Sequence, residues 1–204
     1  AAPDPRVAQL GAGPSFLMVG TIEPRKGHLQ ALDAFEQLWR EGAQVNLVIV
    51  GNEGWKPLAD AERRTIPRIT ARLRKHPELG RRLFWLAGVD DACLAQVYAA
   101  SACLLCPSEG EGFGLPLIEA ASHGLPVIAR DLPVFREVAG EHAFYFGGLG
   151  GAELAGAVRA WLDLHARGAH PASTGMQWCT WRDNALELLT VLDGQRPERL
   201  WPAG

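Results

Sequence analysis

The chain has 204 residues, 48% of them hydrophobic and 21% charged, with a formal net charge of −3. That balance suits an ordinary globular protein with a sizeable core, and it lacks the basic excess expected of a general nucleic-acid surface. No apolar run reaches the roughly 18 to 20 residues that span a bilayer, and no signal-peptide pattern precedes the first strand-like segment.

Residues 1–14, AAPDPRVAQLGAGP, are rich in Pro, Gly and Ala and read as a linker leading into a domain over 15–204. SFLMVG (Ser15 to Gly20) is a short apolar run ending in Gly, the pattern of a buried strand. In the loop that follows, VGTIEPRKGH, Pro24 stiffens a turn and Arg25 and Lys26 arrive just before a helix. Cations beside free helix N-terminal amides suit an anion, although an Arg-Lys pair also serves as plain solvated surface. Neither G-x-x-x-x-G-K-[ST] nor G-x-G-x-x-G is matched, which argues against triphosphatase and dinucleotide readings.

HLQALDAFEQLWREG places Leu29, Leu32, Phe35 and Leu38 on one helical face and stops at Gly42. VNLVIVG (Val45 to Gly51) is a second strand, followed by a loop carrying Trp55. A basic helix is predicted from about Leu58 to Lys75, with an interruption near Pro67. Its Arg63, Arg64, Arg68, Arg72, Arg74 and Lys75 either face solvent or meet an anionic membrane surface.

LFWLAG (Leu83 to Gly88) is a third strand, and DDACLAQVYAAS a short helix capped by Asp90 or Asp91. CLLCPS is the fourth strand. A helix then starts at Leu115 or Pro116, LPVIAR is the fifth strand and AFYF (Ala143 to Phe146) the sixth. GAELAGAVRAWLDLHARG and WRDNALELLTVLDG close the chain as helices, the second packed on the sheet through Trp178 and Trp181. His123, in ASHG, suits a helix C-terminus through its interaction with the dipole.

Strands alternating with helices, each strand near-continuously apolar, indicate a Rossmann-like α/β fold. Its parallel sheet of about six strands carries helices on both faces. Cys103 and Cys106 form a C-x-x-C inside the fourth strand. With no second pair to complete a zinc set, Cys93, Cys103, Cys106 and Cys179 read as buried thiols of a reduced, cytoplasmic protein.

Ligands of such sheets sit beyond the carboxyl ends of the strands. There the loop SEGEGFGLPLIEA places Glu111 and Glu119 around Gly110, Gly112 and Gly114, which let a ligand approach the backbone closely. Carboxylates accept from neighbouring hydroxyls and backbone amides suit phosphate, a combination fit for a sugar joined to a nucleoside diphosphate. A helix-dipole role for Glu119 and a solvated Glu111 is the other reading of the pair.

In full, EGFGLPLIEAASHGLPVI resembles the E-x(7)-E region of the retaining glycosyltransferases of family 4, with Glu111 and Glu119 as its acids. VGTIEPRKG, LVIVGNEGW, LAGVDDACLAQVYAASACLLCPS and WCTWRDNALELL are similar to further segments of that family in the same order, the second to its mannosyltransferase-like members. The resemblance covers Ser15 to about Leu192.

It implies one half of a GT-B enzyme, the C-terminal domain that holds a nucleotide sugar, here first of all GDP-mannose. Lys26 and Arg25 would neutralise the diphosphate and, with Glu111, form the catalytic set. Donor binding would fall to Gly20, Thr21, Arg25, Lys26, Glu111 and Gly112, to the backbone of Phe113, Gly114 and Leu115, to Glu119 at the ribose, and to Gly88 and Val89 near the base. No metal ion and no cofactor are expected, because the cations do that work.

One departure is Thr21, where many members carry Arg five residues before the Lys. Arg25 stands next to Lys26 instead, in a form shared with mannosyltransferase-like members. The expected partners are an N-terminal GT-B domain, in the same longer chain or a separate one, and a glycan or lipid-linked acceptor at the inner face of the plasma membrane. A linker-like start favours the longer chain, so transfer by these residues alone should be slow or absent. Two other classes compete: a glycoside hydrolase, which leaves Arg25 and Lys26 idle, and a non-catalytic binding module.

Overall fold

The computed structural model describes residues 4–10, 13–178 and 181–193. Six strands form one parallel sheet: β1 (Ser15–Val19), β2 (Asn46–Val50), β3 (Leu83–Leu86), β4 (Cys103–Cys106), β5 (Val127–Arg130) and β6 (Phe144–Phe146). Their order is β3-β2-β1-β4-β5-β6, with Phe16 beside Leu47 on one side and beside Cys103 on the other. All six lie within the segments that the sequence pattern marks as strands.

Alternation along each strand divides the core into two layers. Phe16, Met18, Leu47, Ile49, Cys103, Leu105 and Ile128 face one way. There they meet α2 (His28–Arg40), α3 (Ile66–Lys75) and α7 (Gly151–Ala166). Trp161 of α7 is fully buried at the centre of this layer, edge-on to Phe16 with ring centroids 5.5 Å apart. Leu17, Val48, Val50, Leu104, Cys106 and Ala129 face the other way, towards α4 (Asp91–Ala100), α5 (Leu115–Ser122) and α6 (Pro133–Ala139). Cys103 and Cys106 therefore belong to opposite layers, and with Cys93 they are buried free thiols. Cys179 lies outside the described residues.

The structure corrects four expectations. The basic helix starts at Ile66, not Leu58, with Pro67 in its first turn, where a missing N–H does no harm. Three of the six cations are paired: Arg63, which precedes the helix, and Arg74 bind Glu53, and Arg72 binds Asp33 and Glu36. Second, within the segment read as a linker, α1 (Pro5–Ala8) is capped by Asp4 and tied to α4 by the Asp4 amide donating to Gln96 Oε1 at 2.7 Å. Third, α6 is an element that the sequence pattern does not announce: it has two turns, begins at Pro133 and buries Phe135 and Ala139. Fourth, Trp178 is 40% exposed rather than packed on the sheet, and α8 (Trp181–Leu192) leaves Leu186, Leu188, Leu189 and Leu192 in solvent. The Trp181 side chain lies outside what is described.

Candidate functional site

Strand order reverses between β1 and β4, so α2 and α5 leave the sheet towards opposite faces and the loops before them converge at its carboxyl edge. The β1 loop ends in a 3-10 turn, Pro24–Lys26, and Gly27 in the left-handed region (φ 73°) caps α2. A Cβ on Gly27 would run into the Pro107 carbonyl, so glycine is what allows the two loops to touch. The Glu109 amide donates to the Arg25 carbonyl at 2.7 Å and closes the seam.

Across that seam Glu111 holds both cations. Lys26 Nζ lies 2.6 Å from Glu111 Oε1, and an Arg25 guanidinium nitrogen lies 2.5 Å from Oε2. The same Arg25 nitrogen donates to the Gly110 carbonyl, and Ser108 Oγ donates to Glu111 Oε1 at 2.8 Å. Burial alone would raise the Glu111 pKa. The bonds from Lys26, Arg25 and Ser108 outweigh it and hold the carboxyl below its ordinary value. Arg25, whose side chain starts away from the family's usual Arg position, thus still reaches the same cluster, while Thr21 is exposed beside Gly54.

The cluster opens on a narrow cleft lined by Lys26, His28, Ser108, Glu111 and Pro116 among others. Beside it, Gly114 caps α5 in the left-handed region (φ 93°), with the Phe135 ring packed 3.0 Å from where a Cβ would stand. The amides of Gly112, Phe113, Gly114 and Leu115 have no acceptor among the described residues, and Phe113 and Leu115 are exposed. Such amides at a helix start are ready to bind an anion. Glu119, one turn further on, does not line this pocket; its Oε2 accepts from Tyr98 at 2.8 Å. It is nonetheless near: Glu111, Lys26 and Glu119 all act on the Cys106 thiol, which burial pushes up to about 12. Gly88, on the β3 loop, donates its amide to Asn52 Oδ1 at 3.0 Å, and Val89 packs on the second core layer. Gly20 ends β1 with Lys26 folded over it.

Several supporting residues carry no clear mark in the sequence. Arg130, at the carboxyl end of β5, is buried with no carboxylate partner among the described residues. It donates to the carbonyls of Pro107 and Ser108 at 2.9 Å each, and also to Gly148 and Gln30. Gln30 of α2 in turn donates to the Gly150 carbonyl. An Arg closing an otherwise apolar strand is the one signal that could have drawn attention to it. His28, the first residue of α2, is buried in the pocket wall, and its Nδ1 has no protein partner.

Burial, with Lys26 adding to it and the Glu23 carbonyl opposing, drops the His28 pKa to about 4. The folded state therefore keeps the ring neutral where the unfolded chain, titrating near 6.5, already takes up a proton. Stability due to this group is present above about pH 6.5 and is lost as pH falls towards 4. The loss over that interval is expected to be about 3 kcal/mol. Urea unfolding across pH 4 to 7 should show it in the wild type and not in His28→Gln.

Fold and site together describe an α/β domain that presents paired cations, acids and free amides at a parallel-sheet switch point. The profile of the family described as Glycosyl transferases group 1 matches residues 8–166, and the chain belongs to that family. Over 186 residues it is 51% identical to the serotype-specific mannosyltransferase WbdA of Escherichia coli, covering 91% of this chain and 22% of that protein. It is 32% identical to the O-antigen chain mannosyltransferase B of the same species, covering 83% of this chain and 38% of that one. The fold also matches Anabaena HepE, solved with UDP and glucose, at a TM-score of 0.69 and 20% identity over 93% of this chain and 52% of that one. The chain thus spans about a fifth of the length of WbdA. Sheet and helices are those of one Rossmann-like half of a GT-B glycosyltransferase, as the sequence implied.

Proposed function

We propose that these residues form the donor-binding half of a retaining hexosyltransferase that uses a nucleoside-diphosphate sugar, with GDP-mannose as its first candidate. The observation that carries the reading is the joining of Lys26 and Arg25 to Glu111 beside the free amides of α5. Glu111, with Glu23 on Arg25, supplies the counter-charge to the two cations; a diphosphate supplies a stronger one and releases the Glu111 carboxylate to sugar hydroxyls. Lys26 and Arg25 then stabilise the departing diphosphate, the main electrostatic service such a reaction needs, and take the place a metal ion fills elsewhere. The amides of Phe113, Gly114 and Leu115 hold phosphate or sugar oxygens, Glu119 takes the ribose, and Gly88 and Val89 border the base. Identity to WbdA supports mannose as the sugar.

The acceptor belongs to a second GT-B domain. The name of the O-antigen chain relative supports a glycan acceptor; a lipid-linked acceptor at the cytoplasmic face of a membrane is part of this proposal. Among the described residues no helix is long and apolar enough to cross a membrane. Differential scanning fluorimetry with GDP, UDP and dTDP tests the donor. A ligand at 100 times its Kd adds about 2.7 kcal/mol, worth roughly 5 to 10 °C for a domain of this size. GDP should give the largest rise; if all three leave the melting temperature where it was, the donor reading fails.

A further inference from the structure

Tyr98 is a buried residue of α4, only 2% exposed, whose hydroxyl donates to Glu119 Oε2 at 2.8 Å across to α5. The ring is fixed from behind: His123, at the end of α5, stacks on it with centroids 4.7 Å apart and planes within 6°. A tyrosine placed in this way has no freedom to follow the carboxylate, so it sets where the carboxylate points. Burial and the neighbouring Glu119 both raise the phenol's pKa, which keeps it a hydrogen-bond donor at any physiological pH. Glu119 Oε1 meanwhile has no partner among the described residues. One oxygen is tethered to the protein and the other is free.

We infer that Tyr98 is the positioning residue for Glu119, holding one carboxylate oxygen so that the other is presented to the vicinal hydroxyls of the donor's ribose. This rests on the donor reading above and adds a requirement to it. A carboxylate on a free side chain loses rotamer entropy whenever it grips a diol, whereas one already held by a phenol does not. The tether should therefore sharpen recognition of a ribose over the same nucleoside stripped of its hydroxyls. Tyr98 touches no ligand atom; it acts through Glu119.

Isothermal titration of GDP and 2′,3′-dideoxy-GDP into the wild type, Tyr98→Phe and Glu119→Gln separates these effects. The wild type should prefer GDP by about tenfold, the worth of a charge-assisted hydrogen bond, and Glu119→Gln should lose most of that preference. Tyr98→Phe keeps the ring and its stack, so it should bind dideoxy-GDP as the wild type does while its preference for GDP falls to about threefold. A full preference in Tyr98→Phe overturns the assignment. So does an equal loss of affinity for both nucleotides, which marks the phenol as structural only. A wild type that binds GDP and dideoxy-GDP equally removes the role given to Glu119 and Tyr98 while leaving the diphosphate site standing. A wild type that binds neither these nor UDP and dTDP overturns the donor reading itself, and this assignment with it.

Discussion

Lys26→Ala is expected to weaken pyrophosphate binding by about 100-fold, the worth of one or two hydrogen bonds between charged groups. The Lys26 side chain is 15% exposed and makes a 2.6 Å bond to Glu111, whose side chain is 9% exposed. That is sheltered enough for its charge to count, unlike a pair at the open surface. Glu111→Gln should move the same measurement the other way, with pyrophosphate binding about three- to tenfold more tightly, because the ligand no longer displaces an internal anion from Lys26 and Arg25. Isothermal titration of inorganic pyrophosphate reads both variants whatever base and sugar the donor carries. Should Glu111→Gln weaken binding as Lys26→Ala does, the acid is not competing for the cations and that account of the cluster is wrong.

Arg130→Ala should be the most destabilising single change near the site, at about 3 to 5 kcal/mol in urea unfolding. Its guanidinium is the donor for the Pro107, Ser108 and Gly148 carbonyls and for Gln30 Oε1, and it lies over the Phe146 ring at 5.2 Å. Truncation strands those acceptors away from water and opens a cavity beneath the loop that carries Ser108 and Glu111. Arg130→Met restores most of the volume but none of the donors, so it should recover only the cavity part of the loss. If Arg130→Ala loses under 1 kcal/mol, the carbonyls have found other partners and the network does not hold the loop.

The sheet is legible in the sequence because each strand is a short apolar run closed by Gly, Pro or a polar residue, and both faces are covered. The helix α6 is not, since PVFREVA has too few residues to show a period and opens on Pro133, which reads as a break. The start of α3 falls later than its pattern suggests for a related reason. Residues 58–65 carry helix-forming side chains, yet they fold as turns, with Arg64 in the left-handed region and Arg63 drawn back to Glu53.

In the site, strand order brings the β1 and β4 loops together; loop position draws attention to Lys26, Arg25 and Glu111 with a surface reading left open, and the family resemblance supplies their roles. Nothing local reveals that Glu111 bridges the two cations, because that contact joins residues 85 and 86 positions apart. Ser108, Gln30, Tyr98 and Arg130 stay hidden on the same ground: each is an ordinary polar residue until the fold supplies its partner.

The contact of Gly27 with the Pro107 carbonyl has a thermodynamic corollary. Two segments that share a backbone seam are hard to reshape one at a time, so the proposed donor site is expected to be largely formed before binding. Calorimetry of nucleotide capture should then return a modest heat-capacity change, set by the ligand surface removed from water and free of the large increment that accompanies coupled ordering.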